Sequence, residues 1–311
     1  MPLVSIGVPV FNGDKYLAAA LEAVRLQTYR NLEVIISDNG STDRTREICE
    51  RYVSEDSRFR YFCNEFNIGV AGNFNRVFEL SSGKYFKWWA FDDLCAPRYI
   101  EQCAEVLEQK ASAVVCHTKT SIIDSNGDVL GNYDDCLDFR SRVPYERFRD
   151  YLFRPAGMWN AIYGVIRVSE LKKTSLHGDY LGADQVLLGE LILRGELHRV
   201  PEFLFFRRNH PQQFWRGKAS FSKMQAWFKP SRKRLFGLPI AWRQFYEYLR
   251  AIWRVGLNRK EEIWCQYYLM KWFGRQLVKP YVKSFKNIIA HIKLPSEGRE
   301  FKLERTPWDS H

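Results

Sequence analysis

Four short apolar runs open this chain, at residues 4–10, 32–37, 58–62 and 85–91, and segments with helical spacing separate them. Runs of this length bounded by Gly and Pro read as buried strands, and their alternation with helices predicts a parallel sheet with right-handed crossovers. That pattern fixes where chemistry can occur. Ligands of open α/β sheets bind beyond the carboxyl ends of the strands. Polar residues placed just after each run are therefore the candidates.

Three strand ends carry such groups. The first run closes on Pro9, Phe11 and Asn12, and the second runs into the turn Asp38-Asn39-Gly40-Ser41-Thr42-Asp43. The fourth, within GKYFKWWAFDDLCAP, stops on Asp92 and Asp93 with no Lys or Arg in the next four residues. Adjacent carboxylates at a strand end can hold a hard cation such as Mn²⁺ or Mg²⁺, or can simply start a loop or cap a helix. Asp38 can accept from a base N–H or from ribose hydroxyls. A metal at Asp92 can hold a diphosphate, so the set describes a nucleoside-diphosphate site. The chain has neither G-x-G-x-x-G after its first strand nor a P-loop, which removes the dinucleotide and P-loop readings.

Further along, a loop at 67–73 precedes a helix to Leu80, with Ser41 or Thr42 expected to cap the helix starting at Thr45. Residues 97–109 read as a helix, 112–117 as a strand, Asp124 to Asp128 as a hairpin turn and 162–167 as a strand. A helix at 184–194 ends on Gly195, and 197–207 returns as a strand. Helices are expected at 240–255, 261–278 and 281–293, the last with separate apolar and basic faces.

The charge is uneven. Residues 1–200 carry 24 Lys and Arg against 28 Asp and Glu, a net −4, while residues 201–311 carry 23 against 8, a net +15. The basic third also holds seven of the ten Trp, which suggests contact with an anionic membrane surface. Seven cysteines, none in a CxxC pair, predict reduced thiols and a cytoplasmic protein. No signal peptide and no transmembrane helix are expected. A nucleic-acid-binding reading of the basic third leaves the strand-end acids unexplained and finds no supporting motif.

The stretch from Val4 to Thr45, the Asn67-Ile68-Gly69 loop and GKYFKWWAFDDLCAP together resemble the large family 2 of inverting nucleotide-sugar glycosyltransferases with the GT-A fold. The likeness is close over residues 3–110 and looser over 160–210. It implies an α/β fold with a mostly parallel sheet and a helical C-terminal extension. The expected layout is a catalytic domain at 1–213, with a nucleotide-binding half at 1–110 and an acceptor half at 111–213, followed by a basic region at 214–311. The resemblance implies transfer of a sugar from a nucleoside diphosphate-sugar, UDP-sugar favoured, to a glycan or lipid-linked acceptor with inversion. The alternative is a sugar-nucleotide-binding protein with impaired catalysis.

The resemblance also implies site residues. Pro9, Phe11, Asn12, Asp38, Ser41, Asn67, Gly69, Asn75, Asp92, Asp93 and Arg207 bind the donor, and Asp92, Asp93 and His210 hold Mn²⁺ or Mg²⁺. Asp184, opening a late helix, is the catalytic base, with N-cap as its structural alternative. Two positions depart from the family pattern: its first acid falls on Ala90, and an Arg expected before Asn75 is Phe74. Donor, acceptor and the cytoplasmic face of the membrane are the expected partners, with no nucleic acid.

Overall fold

The computed structural model describes residues 1–155, 157–211 and 239–292, with side chains described as far as residue 278. A nine-stranded sheet runs in the order β3-β2-β1-β4-β8-β6-β9-β5, and β7 pairs with β6. The parallel strands β1 (Val4–Val10), β2 (Leu32–Asp38), β3 (Phe59–Cys63) and β4 (Tyr85–Trp88) form one side. β8 (Val165–Arg167) runs antiparallel to both β4 and β6 (Ala113–Ile123), so β6 and its parallel neighbour β9 (Glu196–Arg208) point the same way as β4. β5 (Leu94–Cys95) and β7 (Val129–Tyr133) are antiparallel additions.

Alternation along each strand feeds two cores. Val4, Ile6, Val8 and Val10 of β1 pack with α1 (Leu17–Arg25), α2 (Thr45–Glu55) and α4 (Tyr99–Gln109). Phe86 and Trp88 of β4 face α3 (Val70–Glu79), α5 (Pro144–Phe153) and α7 (Ala183–Arg194). Gly7 lets α3 approach, since a Cβ there would lie 2.6 Å from Val77 Cγ2. The short α6 (Val168–Leu171) follows β8. The chain ends in α8 (Ile240–Val255) and α9 (Arg259–Ile292). Residues Met1–Phe273 form one compact unit, which takes in α8 and the start of α9; Gly274–His311 form a second.

Several local expectations are corrected. The fourth run stops being a strand at Trp88, three residues early, because Ala90 and Asp93 already form a turn through Asp93 N–H to Ala90 O at 3.2 Å. Neither Ser41 nor Thr42 caps α2; Asp43 accepts from Thr45 N–H at 3.0 Å, while Ser41 Oγ is engaged by Asn12. The loop at 67–73 is shorter than expected, because α3 starts at Val70. The strand expected at 162–167 is split, with a 3₁₀ turn at Asn160–Tyr163. Gly195 is no left-handed cap, since its φ of −175° is extended; it is needed for space, as a Cβ would lie 2.6 Å from Ser112 O. The two last helices are one, α9, which runs through Pro280 at the loss of one N–H bond. The faces expected of residues 281–293, and the basic stretch 212–238, lie outside the described residues and side chains.

Candidate active site

Loops after β1, β2 and β3 are sewn to one another by short polar side chains. Asn12, held at a φ of 50°, donates its N–H to Ser41 Oγ at 2.8 Å and accepts Thr42 N–H at 2.9 Å. Gly13 N–H donates to Thr45 Oγ1 at 2.8 Å, and Asp14 N–H to Asp43 Oδ2 at 3.1 Å. Pro9 is buried at the closing end of β1, while Phe11 beyond it is exposed. Asp38 is almost wholly buried; its Oδ1 accepts Ser41 N–H and its Oδ2 accepts the Tyr61 hydroxyl, each at 2.8 Å. Burial and this carboxylate together push the Tyr61 pKa up.

Asn67 belongs to a second layer. Its Oδ1 accepts Gly69 N–H at 2.8 Å and Asn39 Nδ2 at 2.9 Å, and Gly69 takes the left-handed φ of 82° that starts α3. Two residues absent from the sequence expectations organise this layer. Asn39 Oδ1 accepts Ile68 N–H at 2.9 Å, and buried Asn73 bridges Ser37 O at 2.8 Å and Ser37 Oγ at 2.7 Å. Asn73 sits at helical spacing from Val70 and Val77, so a polar residue on the buried face of α3 was the available signal.

The acids after β4 differ from each other. Asp92 Oδ2 lies 3.0 Å from His210 Nε2. Asp93 is buried and accepts Arg208 N–H at 2.9 Å; burial first, then Asp92, push its pKa up to about 8. Arg208 also donates Nε to Asp92 O at 2.9 Å and Nη1 to Asp124 O at 3.0 Å, tying the acid turn to the β6–β7 hairpin. The His210 ring lies tilted against Tyr16 with centroids 4.6 Å apart, and its Nδ1 is buried without a hydrogen bond. Among the described residues no group of three or more His, Cys, Asp and Glu is placed to hold a metal ion. Asp92 and His210 are thus a two-donor set, with Asp93 turned to the backbone of β9.

Behind the acids stands Lys87, on the buried face of β4. Its Nζ donates to Tyr163 O and lies 4.4 Å from the Tyr99 ring and 5.3 Å from the Trp89 ring. No carboxylate pairs with it among the described residues, and burial lowers its pKa.

Asp184 lies in the first turn of α7, after Gly182 at a left-handed φ of 83°. Gly182 is its N-cap, so Asp184 is not. Burial raises the Asp184 pKa, opposed by the N–H groups at the helix start and by Arg207. Arg207 also bears on Asp93, and its Nη1 is aimed by Asn160 Oδ1 at 2.8 Å. Long-range partners hold this helix start: Tyr151 Oη donates to Gln185 O at 2.5 Å, and Gln244 of α8 donates to Gln185 Oε1 at 2.9 Å. A Cβ on Gly182 would collide with that Gln244 amide. Asn75 is half-buried, and its amide already has partners. It exchanges two hydrogen bonds with the His177 backbone, at 2.9 and 3.0 Å, and so ties α3 to the loop leading into α7.

Comparison with known proteins follows the same outline. Residues 5–169 match the model of glycosyl transferase family 2. The glycosyltransferase GlyG of Streptococcus pneumoniae is 32% identical over 160 residues, 50% of this chain and 51% of that protein. The chondroitin synthase of Escherichia coli is 33% identical over 132 residues, 42% of this chain and 19% of that protein. The chain spans about half the length of the curated relatives it matches. Among solved structures, S. aureus TarS 1–349 superposes with a TM-score of 0.60 at 15% identity, over 86% of this chain and 71% of that one. The mannosyltransferase PcManGT from Pyrobaculum calidifontis, in complex with GDP-Man and Mn²⁺, gives 0.52 at 14% identity, over 89% and 87%. These likenesses show a GT-A fold.

Proposed function

Because the chain belongs to glycosyl transferase family 2, we propose that it moves a sugar from a nucleoside diphosphate-sugar, UDP-sugar favoured, to a hydroxyl of a glycan or lipid-linked acceptor with inversion. The observation that carries this reading is the pairing of unlike acids around one arginine. Asp92 faces His210, Asp184 opens α7, and Arg207 bears electrostatically on Asp184 and on Asp93 beside Asp92. TarS complexes hold UDP and UDP-GlcNAc, which supports a donor of that class.

Asp92 and His210 suit Mn²⁺ or Mg²⁺ by their oxygen and nitrogen donors, and the orphaned His210 Nδ1 leaves the ring without a competing partner on that side. Such an ion would offset charge on the departing diphosphate. Asp184 takes the proton from the acceptor hydroxyl as that oxygen attacks the anomeric carbon. A carboxylate with a raised pKa is the stronger base for this transfer. Arg207, which bears on both Asp93 and Asp184, holds negative charge between them. Release of UDP from UDP-sugars in Mn²⁺ tests the reading. Turnover abolished by Asp92→Ala supports it, and full activity in that variant refutes it.

The partner surface we propose is the cytoplasmic face of an anionic membrane. Trp242, Tyr246 and Trp253 lie at i, i+4 and i+11 on α8, exposed opposite its buried Tyr248 and Ile252. Ile263, Tyr267 and Met270 form a like stripe on α9. Arg250 stands 5.7 Å from the Tyr246 ring and Lys271 5.4 Å from the Tyr267 ring. Aromatic rings with cations beside them suit an interface of acyl chains and anionic headgroups. No described helix is long and apolar enough to cross a membrane. Salt-sensitive co-sedimentation with anionic liposomes, weakened by Trp253→Ser with Tyr267→Ser, is the expected result; binding unchanged in that variant would exclude these stripes.

A further inference from the structure

A cavity of about 1000 Å³ opens on the edge of the sheet opposite the acids. Ser112, just before β6, and Gly195 and Glu196, at the start of β9, line it. Asp92 follows the far end of the parallel β4, so the cavity is separate from the site above.

Its walls are cationic. Lys110, Arg140, Arg142, Arg147, Lys173, Arg194 and Arg254 line it, against the carboxylates Glu170 and Glu196 and the ring of His198. Internal pairing consumes part of this charge. Lys173 pairs with Glu170, Arg140 with Asp138, Glu196 with His198, and Arg194 and Arg254 share Glu190. Lys110, Arg142 and Arg147 form no ion pair among the described residues, and Glu196 attracts Arg147 without pairing with it. Arg147 is 4% exposed, and its guanidinium is aimed by three carbonyls, Ser141 O, Ile192 O and Leu193 O, at 2.6 to 3.1 Å. Arg194 is nearly as buried, and its Nε has no partner. Arg147 at the wall and two exposed cations at the rim form no ion pair, and Arg194 shares its one carboxylate with Arg254, so the lining keeps an excess of positive charge. Burying cations without counter-ions costs free energy, which a bound anion would offset.

We propose that this cavity is a second ligand site, for a phosphate-bearing anion, independent of the sugar-transfer reading. Guanidinium forks match phosphate oxygens, and the volume falls in the range of ligand pockets. The phosphate could be carried by a soluble molecule or by a lipid headgroup, since Arg254, Val255 and Leu257 bring the end of α8 into the wall.

Lys110 and Arg142 are exposed, so Lys110→Ser with Arg142→Ser is expected to leave the fold intact. Calorimetric titration with inorganic pyrophosphate is run in EDTA, which removes the metal on which diphosphate binding at the catalytic edge is proposed to depend. A parallel arm measures sedimentation with phosphatidylglycerol vesicles. Wild type is expected to bind, and the double variant to bind at least about tenfold more weakly, in one arm or both. Loss in the pyrophosphate arm assigns a soluble ligand, and loss in the vesicle arm alone assigns a headgroup. No binding by wild type in either arm, or equal binding by the variant in both, overturns the proposal.

Discussion

The donor edge and the start of α7 are built in opposite ways. At the donor edge, successive loops are joined by Ser41, Thr45, Asn12 and Asp43, which lie within 34 positions of one another and mostly bond backbone N–H groups. Asp184 instead depends on Asn75, Tyr151 and Gln244, which come from three distant helices. Sewn loops give a rigid shelf, which suits the proposed nucleotide site. A helix start fixed by remote packing suits the proposed acceptor side, where position depends on distant contacts. The contrast predicts that damage at the first region is read in binding or stability, and damage at the second in turnover.

The largest expected effect is at the proposed base. Asp184→Asn should cut kcat by about two to four orders of magnitude while UDP affinity stays near wild type. Because burial raises the Asp184 pKa, wild-type kcat/KM should climb with pH through a limb above the ordinary carboxylate range, as the group loses its proton. The Asn variant should lack that limb. Collapse of UDP affinity together with turnover would erase the distinction between the regions.

Asn73→Ala probes the shelf. It leaves Ser37 O and Ser37 Oγ without their buried partner, and should cost about 1–3 kcal/mol in denaturant unfolding. Turnover at saturating donor should change little. Gln244→Ala tests the remote support: kcat should fall about tenfold, since small misplacements of a catalytic group are costly, with the UDP Kd unmoved. If Gln244→Ala instead weakened UDP and spared kcat, the helix start would belong to the donor shelf.

The same contrast explains what the sequence disclosed. The strand-end acids, the Asp38 turn and the Asn67 loop are local patterns, so parallel strands and the placement of Asp92 could be read from spacing. The role of Asn75 could not, because its partner His177 is 102 positions away. The end of β4 was misread because Trp89 and Phe91 continue an apolar run after the backbone has turned. Lys87 was legible only as an interruption. Its aromatic surroundings come from α4 and β9 as well as from Trp89, just beyond its own strand.

Lys87→Met carries the smallest expected change in stability. Removing a buried cation that lacks a carboxylate partner should leave unfolding free energy unchanged or raise it by about 1 kcal/mol. A marked loss would show that the Tyr163 contact outweighs desolvation.

The central claim is that two acids at one sheet edge divide the labour, Asp92 holding the donor and Asp184 acting on the acceptor. Calorimetric titration of UDP with Mn²⁺ into wild type, Asp92→Ala and Asp184→Asn tests it directly. The account predicts metal-dependent binding that is lost in Asp92→Ala and retained in Asp184→Asn. Equal UDP affinity in wild type and Asp92→Ala, or loss in Asp184→Asn, would contradict it.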